Sequence, residues 1–248
     1  MILHHPKTRP EGWSEIRRRN RFWSLPFHAI EYIFDWATYL LSNWAFLETL
    51  EYLSSLSVLI AVIFYFSESD ARLRQRHYQA WQVINTAQGK GGSGGRIEAL
   101  EELAKDKVSL TGVDVSMAFL RGVDLKGANL VRANFHNSDV RRSLLESTDL
   151  SDAILSGANF RDSDFHDSAL RGTQLDDVEL VRANLTNTDL SGATLDNADL
   201  RSADLRNIKW QNIGSIKSAD VFGVKNAPAG FVDWAIQHGA IQSGKEPE

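Results

Sequence analysis

Two short glycine motifs are the first places in this sequence where chemistry would be sought. Gly89, Gly91 and Gly94 satisfy G-x-G-x-x-G, the spacing that lets a backbone approach a pyrophosphate at a helix N-terminus. Gly91, Ser93 and Gly95 satisfy G-x-S-x-G, the spacing of a nucleophilic serine on a sharp strand-to-helix turn. Both motifs need a strand before them, yet Asp70 to Gln88 carries Leu73, His77, Ala80, Trp81 and Ile84 at helical spacing. Residues 89–95 are therefore read as a glycine-rich linker. His4, His5, His28, His77, His136, His166 and His238 are scattered, with no metal-ligand spacing. The absence of cysteine excludes thiolate catalysis, disulfides and cysteine metal sites. The sequence thus implies no enzyme, cofactor or metal.

What positions the remaining polar side chains is a repeat. From Val108 to Trp210 a frame of a small residue, Asp or Asn, then Leu or Phe recurs every five positions. It is plainest in Gly127-Ala128-Asn129-Leu130, Arg132-Ala133-Asn134-Phe135, Asn197-Ala198-Asp199-Leu200 and Ser202-Ala203-Asp204-Leu205. The frame resembles that of the pentapeptide-repeat family. That resemblance implies a right-handed, four-sided β-helix with one pentapeptide per side, the central residue and the small residue two before it pointing inward. The residues suit that arrangement: centres from Leu110 onward are Leu, Phe or Val until Trp210, and the positions two before are mostly Ala, Ser, Thr or Val. Phe119, Leu144 and Ile154 depart from it, being apolar where the family favours Asp or Asn. After Trp210 the register fails, at Gln211-Asn212-Ile213 and the shifted Ala219-Asp220-Val221.

On a four-sided coil, residues twenty apart stack at about the 4.8 Å inter-strand spacing. Arg121, Arg141, Arg161 and Arg201 then fall in one column, interrupted by Val181, whose neighbour Arg182 joins Arg142 in the next column. Stacked like charges need neutralising neighbours, and Asp139, Asp162, Glu179 and Asp199 flank them. Two readings stay open for these arginines: a self-compensating lattice, or a docking stripe for an acidic partner or anionic lipid heads. Asp176, Asp177 and Asp196 give another side the opposite sign. Carboxylate pairs such as Asp162 and Asp164 lie on a convex rod without a cleft and read as solubilising.

The N-terminal third has a different composition. Residues 1–24 are basic through Lys7, Arg9, Arg17, Arg18, Arg19 and Arg21, which suits an anionic membrane surface. Ile30, Ile33, Phe34, Ala37, Leu40, Leu41 and Trp44 then recur at helical spacing, predicting an amphipathic helix at a membrane interface. Leu53 to Phe66 is uncharged, and extending back to Phe46, past Glu48 and Glu51, gives the length of a transmembrane helix. Arg72, Arg74 and Arg76 follow at once, placing the repeat on the cytoplasmic side, by analogy that of a bacterial inner membrane. A hairpin with residues 26–47 as a first span gives the same orientation.

The expected organisation is an α-helical, membrane-associated region at 1–88, the linker at 89–95 and a capping helix at 96–106. The β-solenoid follows at 107–221, and a cap helix with its tail at 222–248. The function expected is a non-catalytic, membrane-anchored scaffold. It would present a rigid rod to an unknown protein partner, touch lipid through its N-terminal region and be open to homo-oligomerisation. Some members of the family imitate DNA and bind topoisomerase, which is one alternative; interleaved arginines make it a poor fit, and nucleic acid is not an expected partner. The other alternative is an oligomeric membrane assembly or pore, for which Ser57 and Ala61 offer a small-residue contact.

Overall fold

The computed structural model describes residues 8–19, 25–42, 45–86 and 92–244, with side chains at 25–27, 42, 45–52 and 66–70 outside the description. The chain divides into two compact units, Met1–Arg72 and Leu73–Glu248.

In the second unit, each side of the coil contributes one bridging residue, and parallel pairs run from Asp114 with Asn134 to Asp189 with Lys209 at a constant offset of twenty. The amide of each central residue from Leu110 to Leu205 donates to the coil below, as Leu130 N does to Asp149 O at 2.8 Å. The amide before it donates to the coil above, as Asn134 N does to Val113 O at 2.8 Å. The fold is therefore a β-solenoid with very short strands. Corners recur every five residues with positive φ. Glycine takes them at 112, 122, 127, 157, 172 and 192, and Asn or Asp at 137, 152, 162, 167, 177, 187, 197 and 207.

The interior is filled mainly by apolar side chains. Central side chains such as Leu120, Phe135, Phe160, Phe165 and Leu180 are fully buried. Where the small inward residue is Ser or Thr, its hydroxyl donates to a backbone carbonyl, as Ser138 does to Phe135 O (2.6 Å) and Ser163 to Val140 O (2.9 Å). Those bonds let hydroxyls occupy core positions without leaving an orphaned donor.

The register slip after Trp210 is a one-residue insertion that the coil absorbs. From Thr194 with Ser215 onward the pairing offset is twenty-one. The bulge turns at Gly214, whose amide donates to Ala193 O at 2.8 Å. A Cβ there would approach the Gly192 and Ala193 carbonyls to 3.3 Å, which is why the insertion carries glycine.

Helices stand at both ends of the coil. Helix α1 spans Trp13–Arg19, α2 Leu25–Ser42, α3 Ala45–Thr86, α4 Arg96–Lys105 and α5 Phe231–Gln237. Leu100 and Leu103 of α4 are fully buried over the first coil. The C-terminal part of α3 packs with them through Ala80 and Ile84, and His77 Nε2 lies 2.8 Å from Asp106. At the other end Phe231 and Ala235 of α5 are buried, with the Phe231 and Trp234 rings 5.7 and 5.2 Å from Trp210.

Between α3 and α4 the described part of the glycine-rich stretch, residues 92–95, forms a turn with positive φ at Gly92, Gly94 and Gly95. The buried Arg96 guanidinium closes it by donating to Gly92 O and Ser93 O. A helix precedes this turn and α4 follows it, so neither glycine motif has the strand its chemistry needs; residues 89–91 lie outside the described residues.

In the first unit, α1 packs on α2 through Trp13 and Tyr32, 5.4 Å apart, and Tyr32, Trp36 and Tyr39 continue the aromatic row, with the Arg9 guanidinium 5.5 Å over Trp36. The opposite, apolar side of α2, carrying Ile30, Ile33, Phe34 and Leu41, is exposed. Helix α3 is continuous where the sequence suggested a span and a separate following helix. Among the described residues no helix is long and apolar enough to cross a membrane, and the transmembrane span expected between Phe46 and Phe66 is not supported. The fully described apolar run, Leu53–Tyr65, covers about 20 Å of helix at ~1.5 Å per residue, against a hydrocarbon core of about 30 Å. Trp44 lies outside the described residues.

Candidate surface for partner binding

The backbone fixes the arginine columns. Gly122 N donates to Arg141 O (2.9 Å), Arg142 N to Arg161 O (2.9 Å), Asp162 N to Val181 O (3.0 Å) and Arg182 N to Arg201 O (3.0 Å). The corner residues of successive coils are therefore stacked, and the structure brings together Arg121, Arg141, Arg161 and Arg201, with Val181 buried among them. Arg142 and Arg182 occupy the adjoining column.

Stacking does not make these arginines alike. Arg141 holds Asp139 in a fork, with Nε and Nη2 at 2.7 and 2.6 Å. Arg201 repeats that fork on Asp199 at 2.8 and 2.6 Å and comes within 3.6 Å of Asp220. Arg182 reaches one coil back to Asp162, at 2.7 and 3.2 Å. Arg161 lies 3.8 Å from Glu179. By contrast, the Arg121 and Arg142 side chains make no hydrogen bond or ion pair among the described residues, and both are exposed. The column is mostly an ion-pair lattice with two uncommitted cations near its N-terminal end.

The electrostatics follow from these bonds. The hydrogen bond from Arg141 holds the Asp139 carboxyl below the usual carboxylate range, burial opposing it. Arg182 does the same for Asp162. At Asp199 burial pushes the pKa up, but the fork from Arg201 outweighs it and the net direction is down. The guanidinium pKa values of Arg141, Arg182 and Arg201 rise in return.

Two clusters on other sides have no signature in the five-residue frame. Asp189, almost buried, accepts from Ser191 Oγ (2.6 Å), Arg171 Nε (2.8 Å) and Lys209 Nζ (3.3 Å). Burial alone would raise its pKa, and these donors hold it well below the usual range. His166 lies 3.1 Å from both Asp164 and Glu146 and 3.7 Å from Asp167, and its bond with Asp164 raises its pKa. Counting by twenties would have found Glu146 over His166 and Lys209 under Asp189. Among the described residues no group of side chains could hold a metal ion. On the acidic side, Asp176 and Asp196 are occupied internally: Asp176 accepts from Asp196 N and Thr194, and Asp196 from Ser215 and Lys217 N.

The family comparison agrees with this repeat. A family model described as pentapeptide repeats matches residues 109–146, 143–180 and 179–209. Among solved structures, a pentapeptide repeat protein from Nostoc PCC 7120 is 32% identical over 48% of this chain and 84% of its own, with a TM-score of 0.19. One from the Arabidopsis thaliana thylakoid lumen is 26% identical over 42% of this chain and 69% of its own, with a TM-score of 0.26. QnrB1, a plasmid-mediated fluoroquinolone resistance protein, is 10% identical over 53% of this chain and 63% of its own, with a TM-score of 0.35. The superpositions are weak and carry no argument, and no curated relative matches. The repeat frame and the family model agree: through residues 109–209 this chain belongs to the pentapeptide-repeat family.

Proposed function

We propose that this chain is a non-catalytic scaffold whose rod offers its sides to another protein while its N-terminal unit holds it at a membrane. The observation that carries the first half is the coil itself. Its interior is filled by Leu, Phe and small residues, so side chains available to a ligand lie on convex outer faces. Such faces suit a protein partner better than a small substrate. Against DNA mimicry, the arginine forks on Asp139, Asp162 and Asp199 break up the negative surface that a mimic needs.

The membrane half rests on exposed apolar surface. Every large side chain described from Leu53 to Tyr65 is exposed, and Val58, Leu59, Ile60, Ile63, Phe64 and Tyr65 are distributed around the helix. A helix apolar all round is buried in its working state, and lipid is the environment that covers every side at once. Arg72 donates to Tyr65 O at 3.1 Å with its guanidinium 5.1 Å from the Tyr65 ring, an arrangement suited to the edge of an apolar layer. The basic residues Arg17, Arg18 and Arg19 of α1 suit anionic head groups.

The test uses photo-crosslinking residues placed one at a time at Lys126, Asp152, Asn187 and Asn207 in cells. A discrete crosslinked protein from at least one position supports the scaffold, and none from any position refutes it. For the membrane half, Leu59→Glu with Ile63→Glu is expected to release the chain from the membrane fraction. Unchanged fractionation of that variant would remove lipid from the reading.

A further inference from the structure

The first rung of the arginine column differs by one residue from the two rungs, Asp139 with Arg141 and Asp199 with Arg201, in which the fork is made. At Asp139 and Asp199 the outward carboxylate grips the arginine two positions later, 2.6 Å at the closest in each case. At the first rung the residue in that place is Phe119, and Arg121 two positions later is left without an ion pair. Phe119 is bonded in the same ladder as Asp139, so this is a change of side chain on an unchanged backbone. Its ring has no coil above it; Gly92 O accepts the Phe119 amide at 3.4 Å, and the side chain remains 58% exposed beside Met117, itself 45% exposed. One coil down, Arg142 faces Asp162, which Arg182 already holds at 2.7 Å.

An exposed phenylalanine and two uncommitted guanidinium groups thus share one corner of a rod whose other column arginines lie against carboxylates. We propose that Phe119, Met117, Arg121 and Arg142 form the docking site for an acidic peptide segment of a partner protein, one that carries an apolar side chain between its carboxylates. The carboxylates complete the forks that the first rung lacks, and the apolar side chain covers Phe119. Charge complementarity selects this occupant, because a neutral or basic segment would leave both guanidinium groups unpaired. The inference rests on the scaffold reading and names where on the rod the partner sits.

The experiment measures binding of a fluorescent peptide, Asp-Glu-Leu-Glu-Asp within a neutral flank, to the full chain in detergent by anisotropy. Arg121→Ser with Arg142→Ser is expected to weaken binding at least tenfold. Phe119→Asp is expected to do the same by rebuilding the fork internally, as at Asp139. Arg141→Ser with Arg201→Ser, which removes paired arginines, is expected to change binding less than threefold. Failure of the wild-type chain to bind the peptide overturns the proposal. So does an equal loss from both arginine pairs, which would mean general attraction, or binding of phosphatidylglycerol vesicles that Arg121→Ser with Arg142→Ser abolishes while the peptide is ignored. Crosslinks on the rod that persist unchanged in Phe119→Asp would leave the scaffold standing and remove this site; no crosslinks at all would remove the scaffold.

Discussion

Phe160→Ala is the perturbation that tests the core most directly. The side chain is fully buried, and its ring lies 6.1 Å from Phe135 and 5.1 Å from Phe165, so three rings form a staircase through adjoining sides of the coil. Removing a buried phenylalanine costs about 3–5 kcal/mol, the upper part of the range applying where the walls cannot collapse. They cannot collapse easily here, because Phe160 N donates to Glu179 O and Asn159 N to Ser138 O, both at 2.8 Å, tying the strand to the coils on either side. We therefore expect about 4 kcal/mol. Phe160→Leu restores the commonest central residue and forfeits mainly the ring contacts, about 1 kcal/mol. Native-state hydrogen exchange on the full chain reads both. Amides between Leu155 and Leu180 should exchange about a thousandfold faster in Phe160→Ala, at ~1.4 kcal/mol per tenfold, and less than tenfold faster in Phe160→Leu. An acceleration below tenfold in Phe160→Ala, or equal effects of the two variants, would refute the account of a close-packed core that cannot collapse.

Ser163→Ala should cost about 1–3 kcal/mol in chemical denaturation although alanine fits the position, because the Ser143 amide, which donates to Ser163 Oγ at 3.1 Å, would be orphaned in the core. Asp189→Asn should destabilise at neutral pH: the folded carboxylate has a depressed pKa, so its contribution is present above the unfolded value of about 3.9 and fades as pH falls through the folded one. A wild-type-minus-variant difference that failed to shrink below about pH 4 would contradict this. His166 has the opposite sign; its raised pKa makes its contribution complete below the unfolded value of about 6.5 and lost as pH rises through the folded one, and Asp164→Asn should lower its NMR titration midpoint. A double-mutant cycle on the half-exposed Arg182–Asp162 pair should return ~0.2–1 kcal/mol, falling with salt.

The inside of this rod was legible in the sequence because the frame at five residues states which side chains point inward, and the apolar column at Leu120, Val140, Phe160 and Leu180 needs no other information. The slip after Trp210 was visible as a broken frame, but its remedy at Gly214 depends on two carbonyls that only the neighbouring coil supplies. The outside was legible only as columns. Stacking Arg121 through Arg201 follows from counting, whereas which carboxylate each takes depends on reach: two residues along the chain for Arg141 and Arg201, one coil back for Arg182. In the N-terminal unit the spacing of α2 identified an apolar side, but the row Tyr32, Trp36 and Tyr39 meets α1 through Tyr32, a contact between helices that spacing within one helix does not reveal.

These contrasts bear on how a uniform rod acquires a specific partner. Identical coils present identical faces, so a surface that obeyed the repeat everywhere would offer a partner no preferred height along the axis. Position can be marked only by departures from the lattice. Most departures here are consumed internally: Val181 is buried, and the acids at Asp176 and Asp196 are taken up by neighbouring hydroxyl and amide donors. The first rung is a departure that is not consumed, since replacing the gripping carboxylate with Phe119 both frees a cation and exposes an aromatic ring at one corner. A contact made there is fixed in height by Phe119 and in charge by Arg121 and Arg142, and sliding by one coil would set it against Asp139 and Arg141, a pair already closed on itself.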